Sequence, residues 1–351
     1  MTRPPVGSPV GEPDHAAVVA AAARIAGLVH RTPLQRSRAV DDWVGAPVLL
    51  KAEHLQRAGA FKARGATNAV RSLPADVAAR GVATHSSGNH GAALAMAAAA
   101  AGVACHVVMP ANAPAVKRAA CEGYGGRVTT CDPDVAAREG ALAEVVATTG
   151  AHVVHPYDDP SVIAGAGTAA LEALAQAAEL GRPPAAVVTP VGGGGLLSGT
   201  VLAVRGEVGD QVAVHGAEPA GADDTARGLA SGVRQPAVHP PATICDGLLT
   251  SLSPRTFAIL GGRHDPHGTG PVPGVDGVTV VPDEDTVAAM RVLWERAKQV
   301  VEPSAAVAVA AARQLVASGR LDPAGPIVVV LSGGNVDLAA LPFGGPLDPP
   351  G

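Results

Sequence analysis

The chain of 351 residues is 47% hydrophobic and 16% charged, and its 26 basic and 31 acidic residues give a net charge of −5. That length and hydrophobicity supply a large core and about two domains, while the slightly acidic balance excludes the basic stripe that a nucleic-acid or anionic-membrane binder needs. Two Trp, two Tyr and three Phe leave the core to Ala, Val and Leu and rule out base-stacking platforms.

Residues 1–13 and 344–351 are rich in Pro and Gly and read as flexible tails. Between them β-branched runs alternate with Ala-rich helical stretches. In chain order the pattern predicts a helix over Asp14–Val29, capped by Asp14, and a strand over Val48–Glu53. Helix Phe61–Leu73, strand Val82–His85, helix Asn89–Ala101, strand Cys105–Met109 and helix Ala115–Tyr124 follow. Next come strand Val128–Cys131, helix Val135–Thr148, strand Val153–His155 and helix Ser161–Leu180, with Ser161 as its N-cap and Gly181 at its C-cap. Strand Ala186–Val191, helix Leu196–Arg205, strands Val212–Glu218 and Val278–Val281, helices Glu284–Gln299 and Ser304–Ser318, and strand Ile327–Ser332 complete the series. The breaker-rich stretch Gly261–Gly277 reads as a surface loop.

Such alternation implies an α/β fold of parallel sheets covered on both faces. No Pro/Ser-rich linker divides the chain, so two interleaved domains are expected. A smaller one spans 81–158, with four strand–helix repeats, and a larger one is built from 14–80 and 159–343. The four cysteines show no CxxC pair and no zinc spacing, and read as buried thiols in a reducing compartment. The N-terminus lacks an apolar leader core and the longest apolar run, Gly91–Cys105, is too weak to span a bilayer, so a cytoplasmic protein is expected.

Five segments carry candidate chemistry. Lys62 opens a helix beside Phe61 in apolar surroundings, where desolvation would lower its pKa and make it a Schiff-base nucleophile; a solvated lysine is the plainer reading. Gly192–Gly195 lie between a strand and a helix, and four glycines there free backbone N–H groups to converge on a phosphate. Neither GxGxxG nor GxxxxGK[ST] is present, so a mononucleotide-sized phosphate fits better than NAD or ATP. Ser86-Ser87-Gly88-Asn89-His90-Gly91 could receive a carboxylate or oxyanion, or simply cap a helix. Leu331-Ser332-Gly333-Gly334-Asn335 ends another strand. Three of these loops fall at C-terminal ends of strands, where open α/β sheets bind ligands. Glu218 and Asp224 flank a loop that offers hard oxygen ligands to Mg²⁺ or Ca²⁺, or is a solvated acidic turn.

The segments KAEHLQRAGAFKARGATNAV, SSGNHGAAL, CEGYGG, HPYDDPSVIAGAGT, TPVGGGGLLSG, GAEPAGADD, LWERAKQVVEPSAA and VLSGGNVDL occur in this order between about residues 24 and 340. Together they resemble the fold-type II pyridoxal-phosphate enzymes of the serine racemase and serine/threonine dehydratase (ammonia-lyase) family, which is related in fold to the tryptophan synthase β chain. The resemblance implies that Lys62 holds pyridoxal 5′-phosphate and removes the substrate Cα proton, with Phe61 and Leu196 lining the cofactor. It implies that Gly192, Gly193, Gly194 and Gly195 bind the phosphate, Asn89 the 3′-oxygen and Ser332 the ring nitrogen, with Glu302 also at the cofactor. A neutral hydroxyl at the ring nitrogen suits elimination and proton exchange over transamination. Ser86, Ser87, Asn89 and His90 would receive the substrate carboxylate, Ser87 acting in racemases as acid/base on the opposite face, and Arg138 and Thr250 would contact substrate. Glu218, the Ala222 carbonyl and Asp224 would hold a divalent cation (Mg, Mn or Ca). A homodimer is implied, and no nucleic-acid or membrane partner.

The expected reaction is dehydration and deamination of L-serine, L-threonine or another β-hydroxy amino acid through aminoacrylate to a 2-oxo acid and ammonia. The alternative on the same scaffold is serine racemase, and the alternative of another class is a non-catalytic cofactor-binding protein. A β-replacement enzyme is disfavoured by AEPAGADD and LSGGNVD. Where the family reads Thr-Gly-Ser-Phe-Lys, this chain has Ala58-Gly59-Ala60-Phe61-Lys62. The two lost hydroxyls argue against ATP activation, although Tyr124 is kept. The chain ends soon after SGGNVDL, so a C-terminal regulatory domain is not expected. His264 and His267 could bind metal but sit in a breaker-rich loop.

Overall fold

The computed structural model describes residues 11–86, 88–113, 115–264, 271–322 and 325–343. In chain order the elements are α1 (His15–Ile25), β1 (Leu34–Gln35), α2 (Arg38–Val44), β2 (Val48–Lys51), α3 (Lys62–Ser72), α4 (Ala75–Ala78), β3 (Val82–His85), α5 (Asn89–Ala101), β4 (Cys105–Pro110), α6 (Ala115–Gly123), β5 (Arg127–Cys131), α7 (Val135–Thr149) and β6 (His152–Val153). There follow α8 (Pro160–Glu179), β7 (Ala186–Pro190), α9 (Gly195–Val208), β8 (Ala213–Pro219), α10 (Asp224–Ser231), α11 (Pro254–Leu260), β9 (Arg263–His264), β10 (Pro271–Val272), β11 (Gly277–Val281), α12 (Asp283–Arg291), α13 (Pro303–Ala317) and β12 (Ile327–Val330).

One sheet runs in the order β1-β2-β12-β7-β8-β11, parallel except at its β1 edge, and a second runs β5-β4-β3-β6, parallel throughout. Both faces of each sheet are covered, as parallel sheets require. The Ala-rich α13 packs with α2 and α12 on one face of the larger sheet, and α1, α8 and α9 cover the other. On the smaller sheet α3, α5 and α6 form one layer and α7 the other. Helix α3 therefore faces both units, packing on α5 and on α8.

Small residues set the spacing of the layer that carries the site. A Cβ on Gly165 would fall 2.7 Å from the Gly65 Cα, and one on Gly167 would fall 2.5 Å from the Gly199 carbonyl oxygen. Helices α3, α8 and α9 thus touch through backbone, which ties the start of α3 to the start of α9.

Beneath that contact lies a buried charge cluster. The Arg64 guanidinium donates to both Glu53 oxygens at 2.7 and 2.8 Å and to both Glu172 oxygens at 2.8 Å. Lys51 Nζ donates to Glu172, the Thr32 carbonyl and Gln176 at 2.8–2.9 Å. Arg64, Lys51 and Glu53 expose essentially nothing to solvent. Burial alone would raise the Glu53 pKa, but the adjacent guanidinium holds it below the usual carboxylate range. For Lys51, burial pushes the pKa down against its two carboxylate neighbours.

Three readings from the sequence are corrected. The N-cap of α8 is Asp159, not Ser161: with Pro160 at the first helical position, the Asp159 carboxylate receives the Ser161 and Val162 N–H groups. The expected helix Glu284–Gln299 ends as α at Arg291 and continues as a π-helical turn over Val292–Arg296. The Gly261–Gly277 stretch contains the paired β9 and β10. Helices α2, α10 and α11 went unread because each is only 7 or 8 residues long, too short for periodicity to show. Asp14 caps α1 as expected, and Gly181 takes the left-handed conformation (φ +63°) just past α8. Among the described residues no helix is long and apolar enough to cross a membrane. The four cysteines are free thiols, and burial lifts Cys105, Cys121 and Cys245 to about 12.

Removing Arg64 would strand two carboxylates, one fully buried. Arg64→Ala is therefore expected to cost about 3–5 kcal/mol in urea unfolding of the cofactor-free protein; a loss below about 1 kcal/mol, the level of an exposed pair, would contradict the account.

Candidate active site

A cavity of about 430 Å³ opens at the C-terminal ends of strands from both sheets. It is lined by Phe61, Lys62, Ser86, Asn89, His90, Arg138, Gly192–Gly195, Leu196, Thr250, Glu302 and Ser332, so residues far apart in sequence meet in one space. Ser87, expected here, lies outside the described residues, as does His267. His264 closes the two-residue strand β9.

Lys62 is the first residue of α3. Its Nζ donates to the Pro156 carbonyl at 2.7 Å and lies 5.0 Å from the Phe61 ring centre. Among the described residues no carboxylate pairs with it. Desolvation alone lowers its pKa to about 8, so a sizeable fraction of neutral amine exists near neutrality.

The glycine loop connects β7 to α9. Gly194, the N-cap of α9, is left-handed (φ +87°), and no side chain caps the helix, which leaves its first-turn N–H groups for a ligand. A Cβ on Gly193 would sit 2.4 Å from the Tyr157 ring, and one on Gly192 would sit 2.9 Å from the Leu248 Cα. The loop is thus a cradle that side chains would fill. An anion cradle, a desolvated amine and a neutral Ser332 hydroxyl in one cavity fit a phosphorylated aldehyde cofactor.

Asn89 Nδ2 donates to Glu302 at 2.9 Å, while its Oδ1 accepts from Asn335 at 2.9 Å. Burial raises Glu302 to about 7, opposed by Asn89. Among the described residues Ser332 Oγ makes only a long 3.4 Å bond to the Ser304 carbonyl. His90 is buried and held well below its usual pKa, chiefly by desolvation and then by Lys62. Its Nε2–H donates to the Val154 carbonyl at 3.2 Å, so Nδ1, buried and without a partner among the described residues, carries a lone pair. The Ser86 Oγ accepts from the Gly88 and Gly91 N–H groups at 3.3 and 3.2 Å, which shapes the turn.

Sequence reasoning missed several cavity residues: His85, Lys117, Tyr157 and Asp246. Lys117 of α6 pairs with Asp246 across the cavity, joining the smaller sheet's unit to the larger. His85 and His155 stand edge to face, as do His155 and Tyr157, with ring centres 5.6 and 4.6 Å apart. Desolvation, then the neighbouring His85, drops His155 to about 4. Tyr157 could have been flagged, since it follows a predicted strand inside a quoted motif.

The cation-ligand candidates lie outside this cavity. Glu218 is the last but one residue of β8 and Asp224 begins α10, with Ala222 between them. Glu218 accepts the Thr225 and Ala226 N–H groups at 2.9 Å, one on each oxygen, and so also caps α10. Burial raises Glu218 to about 7 and Asp224 to about 6. Among the described residues no group of three or more His, Cys, Asp and Glu gathers for a metal. The set here is two carboxylates and a carbonyl.

Residues 25–333 match the family model described as pyridoxal-phosphate dependent enzyme. The chain belongs to that family. Its fold is that of the fold-type II members: it superposes on the T.th. threonine deaminase with a TM-score of 0.84 at 43% identity, covering 93% of this chain and 99% of that one. It is 40% identical over 319 residues to serine racemase of Dictyostelium discoideum, covering 91% of this chain and 93% of the relative. It is also 40% identical over 331 residues to beta-hydroxyaspartate dehydratase of Paracoccus denitrificans (strain Pd 1222), covering 94% and 99%.

Because the neutral amine is the nucleophile, cofactor uptake by the cofactor-free protein should accelerate as pH rises through about 8, not near 10.5 as for an ordinary lysine. Stopped-flow absorbance measures this, and a rate still climbing steeply toward 10.5 would contradict a desolvated Lys62.

Proposed function

We propose that this chain is a pyridoxal-phosphate-dependent dehydratase that converts a β-hydroxy amino acid, L-serine, L-threonine or 3-hydroxyaspartate, to a 2-oxo acid and ammonia. The observation that carries the reading is the desolvated Lys62 amine sharing one cavity with the glycine cradle and the Ser86–His90 turn. The likeness to a threonine deaminase and a hydroxyaspartate dehydratase supports the same reaction class.

The N–H groups of Gly192–Leu196 hold the cofactor phosphate at the start of α9, where the helix dipole favours an anion. Asn89 would take the ring's 3′-oxygen and Ser332 the ring nitrogen, with Phe61 and Glu302 around them. Bound pyridoxal phosphate supplies an electron sink that acidifies the Cα proton. Lys62 accepts that proton at Nζ, a task suited to an amine whose pKa lies near the operating pH. The Ser86–His90 turn binds the substrate carboxylate, and Arg138 and Thr250 border the side-chain end. Both sheets' units wall the cavity, which restricts water around the reacting atoms.

A second reading, racemisation, is favoured by the equal likeness to a serine racemase. It assigns Ser87 as the acid that returns a proton to the opposite face. The two are separated by chiral product analysis after incubating cofactor-loaded protein with L-serine, L-threonine and L-threo-3-hydroxyaspartate in turn. A 2-oxo acid and ammonia as main products from one of them are expected, and accumulation of the D-amino acid instead would replace the dehydratase with a racemase.

Glu218, the Ala222 carbonyl and Asp224 are assigned to a divalent cation, because two buried carboxylates with raised pKa values gain from a positive charge between them. EDTA should lower the Tm and Mg²⁺ or Ca²⁺ restore it, and Asp224→Asn should abolish the response. A Tm indifferent to chelator and cation would remove the site.

A further inference from the structure

Tyr157 is a polar side chain of the cavity to which the reaction above gives no task. Its backbone follows directly on the Pro156 carbonyl that accepts from Lys62 Nζ at 2.7 Å, and Tyr157 lines the same cavity as the amine. The ring is fixed from two directions. It lies against the glycine loop so closely that a Cβ at Gly193 would meet three of its carbons at 2.4–2.5 Å, and His155 packs on it edge to face at 4.6 Å and 86°. Thr250, on a different loop, borders the cavity next to it and faces the phenol oxygen.

A phenol at the cavity wall that stays protonated is a hydrogen-bond donor. Burial keeps it so, raising its pKa above the ordinary value, with Asp158 adding to the effect and Thr250 opposing it. The groups that bind an amino acid's carboxylate and Cα proton are already supplied by the Ser86–His90 turn and Lys62. At the side-chain end, which Arg138 and Thr250 also border, Tyr157 adds a neutral donor held in a fixed place for the β-oxygen.

We propose that Tyr157 is a specificity-determining residue whose phenol O–H donates a hydrogen bond to the β-hydroxyl of the substrate. The proposal rests on the dehydratase reading and deepens it, because it explains how the cavity distinguishes a β-hydroxy amino acid from one bearing another β-substituent. A site built to bond a hydroxyl loses that preference when the donor is removed.

Tyr157→Phe retains the ring and its packing. The kcat/KM ratio of L-serine over β-chloro-L-alanine, whose chloride leaves without a donor, should fall about tenfold in the variant. An unchanged ratio, whether both rates fall together or neither falls, would overturn the proposal. Wild-type protein that releases 2-oxo acid from none of L-serine, L-threonine, L-threo-3-hydroxyaspartate and β-chloro-L-alanine would overturn the dehydratase reading itself, so the two failures are told apart.

A binding readout needs no turnover. The chain has two tyrosines, so protein labelled with ¹³C at the tyrosine Cζ gives two signals, and Tyr157→Phe identifies one of them. In cofactor-loaded Lys62→Ala protein, L-serine should shift the Tyr157 signal and L-alanine, lacking the hydroxyl, should not. Equal shifts would mean that the ring senses occupancy rather than the β-oxygen, against the proposal.

Discussion

Arg64 carries a charge to a place where its side chain meets no solvent, and two carboxylates grip it from opposite sides, Glu53 from the segment after β2 and Glu172 from α8. Two residues earlier on the same helix is Lys62. The first turn of α3 can therefore neither rotate nor slide without breaking a buried ion pair, which is far costlier than breaking one in water. Lys51 and Gln176 complete the cluster and lock β2 to α8. Two cations and two carboxylates leave it neutral, which is what allows it to exist inside the protein. The position of the candidate nucleophile is set by electrostatics beneath the site rather than by the site itself.

From that anchor the geometry is passed on by glycine. Gly65 meets Gly165, and Gly167 meets Gly199, so α3, α8 and α9 stack at backbone distance. The start of α9 is the glycine cradle, and its separation from Lys62 follows from these two crossings. One constraint thus places the amine, and a chain of close contacts places the anion site relative to it. The opposite wall comes from the smaller sheet, whose β3 ends at the Ser86–His90 turn. Asn89–Glu302 and Lys117–Asp246 join this unit to the larger one over the cavity.

Much of this was legible in the chain. Strand–helix alternation pointed to the parallel sheets, because buried strands read as β-branched runs and their covering helices as Ala-rich stretches. Gly192–Gly195 and the Ser86–His90 turn stood out because each lies at or just beyond a strand's C-terminal end, and Lys62 because it opens a helix beside Phe61; the structure gathers them into one cavity. The caps show where local reading stops. Ser161 read as the N-cap of α8, but Pro160 takes the first helical position and the Asp159 carboxylate caps the helix. The glycines of α3, α8 and α9 carry no local sign of these crossings, since nothing local says which helix will cross there.

The sequence by itself determined the layers, the loops that hold polar groups at strand ends, and the motif order that the family shares, because these depend on neighbours within a few residues or on inheritance. Tertiary structure alone decided which charges are buried together, that Lys62 is desolvated to about 8, that His90 offers a lone pair rather than a second donor, and that Tyr157 lies on the glycine loop. Each of these depends on removing water from a group by residues tens to more than a hundred positions away. Solvent exclusion is a property of packing in three dimensions, and a linear pattern carries no measure of it.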